Sequence, residues 1–182
     1  MTGAKRIVPI DIRLGTEEDL DELEQLYGSL NDHLSNTTNY PGWIRGVYPI
    51  RETARSGVLE GCLYVALDKG VIAGSVILRH KPEPAYQKAK WQADLRDEDI
   101  LVIYTLAVHP DYLSMGIGRG LIDFAVQNAC CSNVKALRLD VYENNLPAIR
   151  LYEKCGFQYI DTVDLGLSEY GLDWFRLYER LL

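Results

Sequence analysis

Asn144-Asn145-Leu146-Pro147-Ala148-Ile149-Arg150-Leu151-Tyr152-Glu153-Lys154-Cys155-Gly156-Phe157 is the stretch on which the fold turns. Pro147 suits the first turn of a helix, where a missing N–H costs nothing. Asn144 and Asn145 can end a strand and cap a helix start. Gly156 stands where a helix would stop, because a residue without Cβ accepts the left-handed turn found there. The spacing predicts a short helix from about Pro147 to Cys155. Ala148, Ile149 and Tyr152 share one face of it, being three and four residues apart. Taken alone, Tyr152 and Cys155 read as core-packing residues.

Working back from this helix, Leu137, Leu139 and Val141 alternate with Arg138, Asp140 and Tyr142, a strand signal. Leu121, Ile122, Ala125, Val126 and Ala129 form a helical stripe before it. Ile100 to Val108 is a β-branched apolar run, predicted to be a central strand buried on both faces. His109-Pro110-Asp111-Tyr112 turns the chain. Between this strand and the helical stripe lies Met115-Gly116-Ile117-Gly118-Arg119-Gly120-Leu121. A helix start offers unpaired N–H groups and the positive end of the macrodipole. Glycines let the backbone approach a pyrophosphate closely, and Arg119 adds charge. A tight turn that binds nothing is the plain alternative. No Gly-Lys-Ser/Thr comes after it, so a P-loop is excluded. A dinucleotide fingerprint is closer, since Asp140 lies ~20 residues on, where a ribose-binding acid would sit. However, Leu121 occupies the place of its third glycine, and about a hundred residues precede the strand, whereas that fingerprint usually opens its domain.

The flanks extend the pattern. Ile10 to Leu14 alternates as a strand, and Thr16 with Asp19 forms a capping-box-like start for a helix carrying Leu20, Leu23, Tyr27 and Leu30. Asn31 to Gly61 mixes Asn, Pro, Gly and aromatics, and reads as a broken helix with loops. Cys62–Leu67 and Val71–Leu78 form a hairpin through Asp68-Lys69-Gly70. Lys81 to Asp99 is a polar excursion between strands. Tyr159–Leu167 and Leu172–Tyr178 read as a closing hairpin. The order β, α, β, β, β, α, β, α, β, β is a mixed α/β layer, placed in one domain over residues 1–182.

Composition limits the partners. The chain is 47% hydrophobic and 25% charged, an ordinary globular balance. A net charge of −7 argues against nucleic acid, which needs a basic face. No apolar run approaches the ~20 residues of a membrane helix, and no apolar region comes after the basic residues in Met1 to Pro9, so neither a membrane span nor a signal is read. Cys62, Cys130, Cys131 and Cys155 show no CxxC pair and no His at ligand spacing. Neither a disulfide framework nor a metal site is therefore expected, and a reducing cytoplasm fits.

From Val102 to Phe157 the chain resembles the GNAT superfamily of N-acetyltransferases. The resemblance rests on the Leu106-Ala107-Val108 strand end, the Gly116/Gly118 turn and the Asn-x-x-Ala-x-x-Leu-Tyr-x-Lys-x-Gly-Phe helix, in that order. It implies the GNAT acyl-CoA N-acyltransferase fold, a central mixed sheet of about seven strands flanked by helices. It also implies acetyl-coenzyme A (acetyl-CoA) as cosubstrate and direct acetyl transfer to a primary amine, on a small molecule or a peptide. By the same resemblance, Leu106, Ala107 and Val108 bind the pantetheine arm through their backbone, the N–H of Val108 polarising the thioester carbonyl. The amides of Leu113, Ser114, Met115, Gly116, Ile117, Gly118 and Arg119 cradle the pyrophosphate. Asn145 and Ala148 contact the cofactor from the other side. Tyr152 protonates the leaving thiolate, a role open to a phenol that ordinarily titrates near 10. A homodimer is a further implication.

The chain also departs from the family pattern. Leu113 stands where Gln or Arg is usual, and Ser114 where Gly is common. Val102 and Tyr104 fill the places where some members carry Glu or His as general base. Tyr104, Glu98 and Asp99, or water alone, remain open for that role, and His109 reads as a turn residue. Trp43, Tyr48, Tyr86 and Trp91 fall in the segments that line the acceptor groove in this family. They would bind an amine by cation–π contact or simply pack. Two other classes stay in view, a non-catalytic acyl-CoA-binding domain and a Rossmann-type nucleotide-dependent enzyme.

Overall fold

A computed structural model describes residues 9–182, so all but Pro9 of the stretch read for a signal lies outside the described residues. The elements in chain order are β1 (Asp11–Leu14), α1 (Leu20–Ser35), α2 (Arg51–Leu59), β2 (Leu63–Asp68), β3 (Val71–Arg79), β4 (Ile100–Val108), α3 (Ile117–Cys131), β5 (Ala136–Tyr142), α4 (Leu146–Lys154), β6 (Gln158–Val163) and β7 (Phe175–Leu181). Seven strands pair in the order β1-β2-β3-β4-β5-β7-β6, a mixed sheet. β4 and β5 run parallel, while β1–β2, β2–β3, β5–β7 and β6–β7 are antiparallel. No described helix is long and apolar enough to cross a membrane.

The described chain falls into two compact units, and β4 and α3 run from one into the other. In the first unit Thr16 N–H donates to Asp19 Oδ2 at 2.8 Å, so the predicted cap opens the chain into α1. Leu23, Leu26 and Tyr27 of α1 are buried, as are Leu63 and Val65 of β2. Lys69 and Gly70 take the left-handed conformation (φ 50° and 86°), which matches the twist of the β2–β3 hairpin. The segment read as a broken helix is resolved into the end of α1 and a separate α2. Gly74 fixes how closely β3 approaches the end of β4. A Cβ there would stand 2.8 Å from the Ala107 carbonyl oxygen and 2.9 Å from Ile117 Cγ2.

In the second unit Tyr86, Ile100, Val102, Ala136 and Leu177 form one buried cluster, with Trp91, Leu95 and Tyr104 packed on it. The polar excursion thus covers a sheet face that the alternation of β5 marks as outward. Arg138, on that polar face, is only 4% exposed. Its Nε donates to Glu179 Oε1 at 2.9 Å, a second N–H to the Ala93 carbonyl at 3.1 Å, and its guanidinium lies 4.1 Å from the Trp91 ring centroid. Gln92 N–H donates to the other Glu179 oxygen at 2.9 Å. A buried ion pair therefore fastens the excursion to β5 and β7, each charge being offset by its partner.

The closing hairpin differs from the sequence reading in register. β6 ends at Val163, and β7 runs from Phe175 to Leu181 rather than Leu172 to Tyr178. Gly166 and Gly171 both take φ 75° and turn the chain early, leaving Leu167 and Leu172 as an isolated bridge. The β4–β5 ladder is short. Its rungs are Ile100/Ala136, Leu101/Leu137 and Val102/Arg138, although β4 continues to Val108 and β5 to Tyr142.

Candidate active site

In the first unit, β4 ends in Leu106-Ala107-Val108, and Ala107 is buried. Thr105, just before them, has φ 42°, an uncommon value for a β-branched residue inside a strand. Such a conformation costs on the order of 1–2 kcal/mol and persists only where surroundings hold it. Thr105 is 8% exposed, and its hydroxyl meets the Tyr48 hydroxyl in a hydrogen bond. No sequence signal marks this strain. Beyond β4, His109 N–H donates to the Ala73 carbonyl at 2.9 Å. The ring Nδ1 of His109 accepts from Asp111 N–H at 3.2 Å, so His109 is a turn residue as read.

The glycine turn is next along the chain. Ser114 and Gly116 are left-handed, with φ 65° and 91°. The glycine common in the family at the place of Ser114 would meet that backbone freely. Leu113 N–H donates to the Pro110 carbonyl and Met115 N–H to the Tyr112 carbonyl, both at 3.2 Å. These two amides of the expected cradle are thus engaged within the turn. Gly120 N–H makes the first i→i−4 bond, to Gly116 at 2.9 Å. The amides of Ile117, Gly118 and Arg119 therefore have no acceptor inside α3. Arg119 is exposed, with Nε 3.5 Å from Asp123. The site fits an anion: three helix-start donors, the positive end of the helix dipole and an exposed cation.

In the second unit, Asn145 caps α4, its side-chain oxygen accepting from Ala148 N–H at 3.4 Å. Ile149 and Tyr152 are buried on one face, as the spacing requires. Tyr152 is 8% exposed, its ring 5.9 Å from Phe157 in an edge-on contact. Gly156, at φ 85°, ends the helix. Tyr152 therefore packs, as the plain reading holds, and lies on the same helix as the cap.

The candidates for a general base are also placed. Val102 is core. Glu98 and Asp99 both bind Arg96, Asp99 at 3.0 Å. Tyr104 donates to the Lys81 carbonyl at 3.0 Å, and burial pushes its phenol up, away from the range of a base. Sequence reasoning missed Asp140 as part of a pair. Its Oδ2 accepts from the Tyr86 hydroxyl at 2.7 Å, and burial raises its carboxyl to about 6. The sequence shows only an acid beside Arg138 on the polar face of β5. The aromatics pack: Trp43 stands edge-on to Tyr48, Tyr86 lies 5.3 Å from Trp91, and the cation on Trp91 is the internal Arg138. All four cysteines are free thiols, and among the described residues no group of three or more His, Cys, Asp or Glu could hold a metal ion.

Residues 25–157 match the family model described as the acetyltransferase (GNAT) family. The UPF0157 protein YqkA of Bacillus subtilis is 43% identical over 82 residues, 44% of this chain and 22% of that protein. The [ribosomal protein bS18]-alanine N-acetyltransferase of Escherichia coli is 37% identical over 59 residues, 32% of this chain and 40% of that enzyme. The chain thus covers less than half the length of these curated relatives. An acetyltransferase of the GNAT family from Streptococcus agalactiae superposes with a TM-score of 0.76 at 21% identity, covering 95% of both chains. The Escherichia coli ribosomal-protein-S18-alanine N-acetyltransferase superposes with a TM-score of 0.67 at 19% identity, covering 95% of this chain and 94% of that one. These structures share the mixed seven-stranded fold, which is not that of a Rossmann enzyme. With the family model matched across well over half its length, the chain belongs to the GNAT family of acetyltransferases.

Proposed function

We propose that this chain moves the acetyl group of acetyl-CoA to a primary amine by direct attack in a ternary complex. The observation that carries the reading is the start of α3. There a left-handed Gly116 precedes three amides without intrahelical acceptors, inside the matched family region. Acetyl-CoA would supply an activated thioester and a pyrophosphate handle. The amides of Ile117, Gly118 and Arg119, with Ser114 and Gly116, would hold the pyrophosphate, and the Arg119 guanidinium would offset its charge. Leu106, Ala107 and Val108 would bind the pantetheine through their backbone, the Val108 N–H stabilising negative charge as it develops on the carbonyl oxygen. Asn145 and Ala148 would contact the arm from α4. Tyr152 would give its hydroxyl proton to the departing sulfur.

The acceptor is an amine, and that of an alanine is one member of the class to try, since the Escherichia coli relative is named as an alanine N-acetyltransferase. The test is thiol release from acetyl-CoA over a panel of spermidine, lysine and an alanine-initiated peptide. Turnover with one of these is expected. The thermal unfolding temperature should rise in the presence of acetyl-CoA, with no change for NAD. A shift with NAD and none with acetyl-CoA overturns the reading, and a shift with acetyl-CoA but no thiol release favours the non-catalytic class.

A further inference from the structure

In the first unit a strained residue stands at the head of the strand end that would hold the pantetheine arm. Thr105 is left-handed at φ 42°, and Leu106, Ala107 and Val108 come next. His109 N–H closes the stretch by donating to the Ala73 carbonyl at 2.9 Å. A β-branched residue leaves a left-handed conformation unless neighbouring groups hold it. Such a residue also breaks the regular pleat, so it decides where the backbone groups after it point. The three backbones are thus set from both ends, by the kink at Thr105 and by the bond at His109.

The group on Thr105 is Tyr48, the two hydroxyls sharing a hydrogen bond. Tyr48 is itself fixed at several points. Its N–H donates to the Ile44 carbonyl at 2.9 Å, its carbonyl accepts from Asn31 Nδ2 at 3.3 Å, and its ring meets Trp43 edge-on at 5.6 Å. Asn31, on α1, is 2% exposed, and the same nitrogen reaches the Pro49 carbonyl at 3.4 Å. Tyr48 is 37% exposed, so its ring adds little to the core, while its hydroxyl meets a residue that is 8% exposed. A phenylalanine would fill the same space, and only the hydroxyl makes the contact with Thr105. We propose that Tyr48 is a positioning residue for the cofactor: its hydroxyl holds Thr105 left-handed and so aims the Leu106–Val108 backbone at the pantetheine arm. This inference rests on the acetyl-transfer reading, which gives those backbones to pantetheine. It moves Tyr48 to the cofactor side, where the sequence offers an amine contact or simple packing. An amine contact would change the KM of the amine, and a packing ring would change stability alone. A positioning hydroxyl changes affinity for the pantetheine half of the cofactor.

The test titrates the full chain and its variants with coenzyme A and with 3′-phospho-ADP, the same nucleotide without the pantetheine arm. Thermal unfolding serves as the control for folding. Tyr48→Phe keeps the ring on Trp43 and is expected to weaken coenzyme A binding about tenfold, while 3′-phospho-ADP binds as before. Thr105→Val, which removes the other hydroxyl, should show the same selective loss, and the double variant should be no worse than either alone. Thr105→Gly placed in the Tyr48→Phe chain should recover part of the affinity, because glycine holds a positive φ without support. With the panel amine that gives thiol release, Tyr48→Phe should raise the KM of acetyl-CoA and leave that of the amine unchanged. Unchanged coenzyme A affinity in folded Tyr48→Phe or Thr105→Val overturns the positioning role alone, as does an equal loss for both ligands. Failure of the unaltered chain to bind coenzyme A overturns the acetyl-transfer reading, and the positioning role with it.

Discussion

At the scale of single residues, the proposed function gives Tyr152 a catalytic part, whereas Arg138 serves stability. Tyr152 sits on α4, the helix that Asn145 caps, and is buried. Tyr152→Phe keeps the ring that packs on Phe157 and removes only the hydroxyl. We expect kcat to fall about 100-fold while coenzyme A binds with unchanged affinity, as read by steady-state kinetics and titration calorimetry. An unchanged rate across pH would remove Tyr152 from the mechanism. Arg138 has the opposite profile. Its charge is buried against Glu179 and Trp91, so Glu179→Gln leaves a buried cation without its counter-charge. That change should cost about 3–5 kcal/mol of stability, read by denaturant unfolding.

At the scale of elements, the proposed cofactor site ties the backbone conformation of the turn into α3 to coenzyme A binding. Gly116 has φ 91° and precedes the three open amides. A branched residue there must either hold a strained left-handed backbone or re-aim the amides. Gly116→Val should therefore destabilise by roughly 1–3 kcal/mol and weaken coenzyme A binding at least tenfold. Loss of stability with full coenzyme A affinity would separate the turn from the cofactor. The excursion between β3 and β4 is the second element of consequence. The sequence shows it as polar and Pro-containing, yet its Tyr86 and Trp91 cap the buried face of β4 and β5. Its polar residues face water while a few aromatics carry the packing, which no periodicity over so irregular a segment can display.

At the scale of the whole molecule, a half-buried acid whose carboxyl is raised should destabilise the fold when ionised. The Asp140 carboxyl titrates at about 6 in the folded protein against 3.8 for the ordinary group. A raised acid binds its proton more tightly folded than unfolded, so stability falls as pH rises from about 4 to about 6 and stays lower above. Asp140→Asn, still able to accept from Tyr86, should thus be more stable than the unaltered chain at pH 7.5, by up to ~3 kcal/mol, and about equal near pH 4. Thermal melts of both across that range decide it, and a variant less stable at pH 7.5 would give Asp140 a structural role instead. Asp19 works in the opposite sense. Its carboxyl is lowered by the hydrogen bond from Arg13, so its contribution is present above about 4 and lost as pH falls through its folded value. The amino-acid sequence by itself determined the mixed α/β class, the helix stop at Gly156, the Asn145 cap, the strand of Ile100–Val108 and the glycine turn. Those features are local: each depends on the preferences of residues within one or two turns of chain. Only the tertiary structure decided that Thr105 is left-handed, that the closing strands stop where Gly166 and Gly171 turn, and that Arg138 is buried. It alone joined Tyr86 to Asp140, since residues 54 apart in the chain meet only through long-range packing.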